Sequence, residues 1–212
     1  MEALWLWPKY AMISSLGNLL PNVDFPFVYL HNEMVKYFQE RDKRMEEQRQ
    51  MWMQKLKHLS DGGTGELLEG LDAQMMSDRI FAQRNAVTRL ESSGFRVGYV
   101  LAERFSKDLP RFSNELDKMK FICKEFWAST FGKGVDKLST NHQGIYIIQD
   151  NKFHTVVSFS EGTQYLADSI PYLAFPAGIV RGALESLGLL ATVTVQVEKM
   201  PVVKFSIQLE KT

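Results

Sequence analysis

Apolar positions recur at helical spacing through the amino-terminal part of the chain and switch to strict alternation toward the carboxyl end. Phe27, Leu30, Met34, Tyr37 and Phe38 predict a first amphipathic helix over about 25–40. Asp24 is its cap, and Pro26 falls in the first turn, where no hydrogen bond is lost. Ile80, Phe81, Val87 and Leu90 predict a second helix over about 78–92, with Gly94 as its stop. A third, over about 95–109, carries Val97, Leu101 and Phe105 as a stripe and closes before Pro110. Gly94 and Gly98 stand four apart, so another backbone is able to come close there. The widest stripe belongs to a fourth helix over about 112–130: Leu116, Met119, Ile122, Cys123, Phe126, Trp127 and Thr130. Such a stripe belongs to a domain core, and Gly132 and Gly134 end it.

Period two then takes over. Residues 145–149 and 153–159 read as two strands joined by a turn at Asp150-Asn151. A last helix over about 172–187 has Pro176 in its first turns and Gly188 as its stop. Gly178 and Gly182 again invite a close neighbour. Val193, Val195 and Val197, then Val203, Phe205, Ile207 and Leu209, alternate with polar residues on either side of Met200-Pro201, a hairpin with one face buried. Helices followed by hairpin, helix and hairpin predict an α+β fold, with helices packed on one face of an antiparallel sheet.

Residues 41–77 break the pattern. Residues 41–57 are Gln-rich, Met-rich and of mixed charge, and the breaker Asp61-Gly62-Gly63-Thr64-Gly65 follows. The segment reads as an insertion, a helix extension and then a flexible loop. Basic and bulky apolar residues alternate in it as in a calmodulin target, but acidic residues dilute the basic face, and a solvated extension is the simpler reading. Residues 1–23 read as an appended segment: Glu2 is acidic, and Pro8 and Lys9 split the apolar run, against a secretory signal. Residues 10–20 fall short of the roughly 20 that a membrane span needs.

Charge adds an exclusion. Lys plus Arg and Asp plus Glu number 25 each, which argues against a nucleic-acid binder or a membrane clamp held by bulk charge. A single cysteine, Cys123, forms no internal disulfide and favours a reducing compartment. Phosphate-loop and dinucleotide patterns are missing, and His31, His58, His142 and His154 lie at no metal-ligand spacing. Cys123 with His142 is the remaining nucleophile–base pair, yet a thiol on an apolar stripe behaves as a small hydrophobe. Arg181, between Gly178 and Gly182 with Glu185 four residues on, fits a structural ion pair or helix cap and equally a partner's carboxylate. Catalytic, cofactor and metal residues are therefore not assigned. Small-residue helix faces and a wide apolar stripe point to assembly rather than turnover.

Particular strings carry a resemblance. GFRVG at 94–98, PRF at 110–112, LDKMKFICKEFW at 116–127, TNHQGIYIIQDNKF at 140–153, YLAFPAGIVRGALESLG at 172–188 and MPVVKF at 200–205 resemble the sixth-subunit family among the small subunits of the transport protein particle (TRAPP) tethering complex. The likeness is loose over 27–40 and strong over about 78–211. It implies a helical layer on a twisted four-stranded antiparallel sheet, forming one domain over 24–212 with a variable insertion at about 41–77. It also implies a non-catalytic scaffold without cofactor or metal. Such subunits heterodimerise with the related third-type small subunit in an assembly that tethers vesicles and exchanges Rab guanine nucleotides, in the cytoplasm at endoplasmic reticulum and Golgi membranes. By position, the pairing surface maps to Phe27, Leu30, Met34, Tyr37, Phe38, Val97, Leu101 and Phe105, with Gly94, Gly98, Gly178, Arg181 and Gly182 structural. Membrane association is then indirect, through the complex. Phe112 stands near the place of the third-type subunit's acylated cysteine, so acylation is not carried over. Residues 1–23 and 41–77 have no family counterpart. The rival reading is a sensor of haem or a small apolar ligand, which needs a preformed pocket with a few polar groups.

Overall fold

The computed structural model of the chain describes residues 25–60, 85–141, 144–159 and 161–210. The segment 1–23, the Asp61–Gly65 breaker, the helix start expected at Asp78, and His142 lie outside them. Helix α1 (Phe25–Ser60) runs straight through the expected end at Glu40 and becomes the helical extension foreseen for the insertion. A boundary between two compact units falls inside it, between Met34 and Val35. The remaining elements belong to the larger unit.

Helix α2 (Ala86–Ser106) is one helix where the sequence predicts two. Asn85 caps it by accepting from Thr88 N at 3.0 Å. Gly94 does not stop it but lies buried in its middle, on a ridge with Leu90, Gly98 and Ala102. The reason is tertiary. A glycine is a good C-cap because it costs little to leave the helix, but here staying helical lets a second helix touch the bare backbone.

The wide stripe becomes three continuous turns of different pitch: α3 (Glu115–Phe121), a π turn (Ile122–Phe126) and α4 (Trp127–Phe131). Asn114 caps the start by accepting from Asp117 N at 2.8 Å. A π turn takes in an extra residue, so side chains rotate less per residue and Ile122, Cys123, Phe126 and Trp127 all stay inward. Gly132, at φ 83°, ends α4 in the left-handed region and donates its N–H to Ala128 O at 3.0 Å.

Strands β1 (Lys137–Thr140), β2 (Ile145–Asp150), β3 (Ala191–Lys199) and β4 (Val202–Leu209) form one antiparallel sheet in the order β1-β2-β4-β3. Leu138, Ile148, Phe205 and Val195 pair in one row across it. The carboxyl-terminal hairpin is as expected. The first hairpin is not: β2 pairs backward with β1, and residues 153–159 form turns, with Val156 N donating to Phe153 O and Phe159 N to Val156 O, both at 3.1 Å. Once β1 and β4 flank β2, no edge of β2 is left for residues 153–159, which bury Phe153 and Val156 instead.

Helix α5 (Leu166–Ser186) crosses between the two hairpins and packs on α2 and β3. It starts earlier than expected, so Pro171 and Pro176 both lie within it, and it stops before Gly188 at φ 72°. The core joins α4 to the sheet. Trp127 meets Phe205 edge-on at 5.1 Å, and Phe131 and Phe153 complete the cluster. Asp150 is 1% exposed. It accepts from Trp127 Nε1 at 3.2 Å and Lys152 N at 2.9 Å and pairs with Lys133 Nζ at 2.6 Å, so the buried charge is compensated. Lys133 also holds Asp136 at 2.7 Å. The Asp136 carboxyl lies below its ordinary range, through the hydrogen bond from Asn151 N and then that from Lys133.

Candidate functional site: a helical docking surface

The base of this surface is the crossing of α2 on α5. Gly94 and Gly98 face the backbone of Phe175 and Ile179, while Gly178 and Gly182 face that of Glu91, Phe95 and Tyr99. A methyl group added to any of the four would overlap a carbonyl oxygen of the facing helix. The two main chains are therefore in direct contact. Each glycine costs about 1 kcal/mol of helix propensity, and the close packing along both ridges offsets it. Arg181 spans the same crossing. Its Nη1 lies 3.4 Å from Glu91 Oε1, and its guanidinium lies 5.0 Å over the Phe95 ring. For Arg181 the structure shows an intramolecular pair, with Glu91 on the other helix rather than Glu185 as the acid.

With its small-residue ridge buried, α2 turns other residues outward. Val97 is 42% and Val100 61% exposed. Leu101 and Phe105 flank the buried ridge and are half-buried, and Phe105 packs edge-on against the buried Phe126 at 6.0 Å. On α1, Leu30 is 70% exposed and Tyr37 about as open as Tyr29, whereas Phe27, Met34 and Phe38 are half-buried. Phe27 stacks on His31, and Tyr37 meets Phe38 edge-on at 5.4 Å. Val100, Tyr99 and Tyr29 are exposed apolar residues that the stripe reading left out. The signal for Val100 is indirect: the ridge of Gly94, Gly98 and Ala102 marks the inward side, and Val100 is opposite it at about 100° per residue.

Chemistry is sparse elsewhere. Cys123 is buried and its thiol is pushed up to about 12 by burial, so it carries no thiolate near neutral pH. Among the described residues no group of three or more His, Cys, Asp or Glu is placed to hold a metal, and no helix is long and apolar enough to cross a membrane. An open groove of about 440 Å³ runs between the first turns of α2, the first half of α5 and the Val193, Val195 and Val197 face of β3. Its polar side chains are already engaged, Glu91 by Arg181 and Ser169 by Leu166 O at 2.7 Å.

Comparison with known proteins gives this arrangement its context. The trafficking protein particle complex subunit 6B of mouse is 54% identical over 125 residues, 59% of this chain and 79% of that protein. The zebrafish subunit 6b is likewise 54% identical, over 59% of this chain and 80% of its own length. The mouse subunit 6A is 43% identical over 130 residues, 61% of this chain and 82% of that one. In fold the chain matches a crystal structure of trafficking protein particle complex subunit 3 from Naegleria fowleri covalently bound to palmitic acid. The TM-score is 0.50 at 17% identity, over 69% of this chain and 95% of that one. The model of the transport protein particle (TRAPP) component family matches residues 27–210. Helices laid on an antiparallel sheet, with sequence agreement along nearly the whole described length, place the chain in the TRAPP component family.

Proposed function

We propose that the chain is a non-catalytic scaffold subunit of a vesicle-tethering TRAPP assembly and acts by pairing with a related third-type small subunit. Residues 24–212 then form one small-subunit domain, with 41–77 as an insertion. The pairing surface comprises Phe27, Leu30, Met34, Tyr37, Phe38, Val97, Leu101 and Phe105, extended by Val100. Nucleotide exchange on a Rab GTPase is the work of the assembly, with the exchange site supplied by other subunits. The setting is cytoplasmic traffic between the endoplasmic reticulum and the Golgi. One observation carries the reading: α2 leaves in water both Val100, opposite the ridge locked against α5, and Val97, which borders that ridge. A helix held that firmly presents its apolar side at a fixed angle, which lowers the ordering cost of binding. The compared proteins are named as subunits of a trafficking protein particle complex, which supports other subunits of such a complex as the partner class.

The test is co-expression with a third-type small subunit. The parent chain is expected to co-purify with it in equal amounts. Val97→Glu with Val100→Glu is expected to weaken pairing by about 3 kcal/mol, the scale of interface hot spots, with the chain's own thermal melt unchanged. A parent that stays monodisperse and unpaired, or a double variant that pairs as tightly, overturns the proposal.

A further inference from the structure

Residues 41–55 continue α1 as helix. Read linearly, their charges are mixed. Wound at about 100° per residue, they separate. Arg41, Arg44, Arg49 and Lys55 fall with Met45 and Trp52 inside a sector of about 160°, and that sector holds no acidic residue. Asp42, Glu46 and Glu47 all fall in the remaining sector, with Lys43, Gln50 and Gln54. In three dimensions the acidic residues therefore lie off the cationic sector, and Glu46 reaches it at its margin, through Arg49.

The burial pattern agrees. All seven residues of the cationic sector, Gln48 included, are exposed, Trp52 at 63%. Lys55 Nζ lies 5.2 Å over the Trp52 ring. Asp42 turns the other way: it holds Arg89 at 3.1 Å and accepts from the N–H of Ala86 at the start of α2. That contact fixes the rotation of the helix relative to α2. Glu46 is also engaged, accepting from Gln50 Nε2 at 3.4 Å and lying 3.6 Å from Arg49 at the sector's margin. Such an exposed pair is weak and yields readily to a better anion.

We propose that this face of residues 41–55 docks on an anionic lipid bilayer. The sector is about 21 Å long at 1.5 Å per residue, and its cations are spread along it rather than gathered at a point, which suits a surface of distributed headgroup phosphates. A helix bound in a protein groove presents an unbroken line of apolar anchors at i, i+3 or i+4, and i+7. Here Met45 and Trp52 are one such interval apart, but Gln48 and Arg49 interrupt the line. An indole with flanking long cationic side chains is instead the chemistry of the headgroup layer, where the ring lies at the interface and Arg and Lys reach the phosphates. The inference is independent of the pairing proposal, since no residue is shared between the two surfaces.

The experiment is flotation of the full chain, at physiological salt, with vesicles of phosphatidylcholine alone and of phosphatidylcholine with phosphatidylserine. Binding to the second and little to the first is expected. Arg44→Gln, Arg49→Gln and Lys55→Gln together should lower partitioning onto the anionic vesicles about a hundredfold, from the known contribution of each surface cation. Lys43→Gln, Gln50→Glu and Gln54→Glu together change net charge by the same three units on the other face and should leave most of the binding. Four outcomes overturn the proposal: no binding by the parent, equal binding to both vesicle types, equal loss in the two triple variants, or capture by an acidic protein such as calcium-loaded calmodulin without vesicle binding.

Discussion

The crossing of α2 on α5 and the distal half of α1 are both helical, but different forces hold them. At the crossing two main chains touch, and four glycines leave no space between them. Residues 43–55 are exposed on every side and touch the rest of the unit through little beyond the neighbouring Asp42. The first helix pair is specified by what is missing from its side chains, the second segment by local propensity and a single polar tie. Stability therefore concentrates at the crossing, and the fold itself asks of the extension only that it stay helical.

The contrast is broken most directly at Gly98. In an exposed helix, glycine to alanine stabilises by about 1 kcal/mol. At Gly98 the new methyl overlaps the backbone of Ile179, the helices must part, and a net loss of about 3 kcal/mol is expected in chemical denaturation. A Gly98→Ala chain as stable as the parent would mean that the two backbones are not in contact. Next in size is Asp42→Ala, which removes both the Arg89 pair and the acceptor for the Ala86 N–H at the start of α2. The expected loss is about 1–2 kcal/mol. Helical content should fall mainly in the extension, read by hydrogen exchange at residues 43–55. Smallest is Trp52→Ala, expected within about 0.5 kcal/mol of the parent. A larger drop would show that the extension is packed against something in the free chain.

Much of the architecture is legible without coordinates. The stripe from Leu116 to Thr130, the alternation of Val193 to Val197 against Val203 to Leu209, and the stops at Gly132 and Gly188 are local signals, and each produces the element it predicts. The failures have a common physical form. Gly94 looks like a stop because the residues that make it an internal contact, Phe175 and Ile179, are some eighty positions away in sequence. Residues 153–159 alternate convincingly, but the strand they would join has its second edge taken by β4, which arrives last. Strand β1, at Lys137-Leu138-Ser139-Thr140, is four residues long and mostly polar, so nothing in it advertises a strand. For the surface, the ridge of small residues identifies the inward side of α2, yet Leu101 and Phe105 flank that ridge and share their area with the core. The separation of charge along residues 41–55 is invisible to any count over the linear sequence, because a sum cannot record direction.

The backbone contact at the glycine crossing has one more consequence. Where side chains separate two helices, a substitution that enlarges or shrinks them resets the gap. Here the gap is set by carbonyl oxygens, which every residue carries. Drift among the aromatic residues beneath can reshape the interior, but the spacing and tilt of these two rods stay put. Anything built to grip the outer side of α2 meets the same jig in each descendant of the gene.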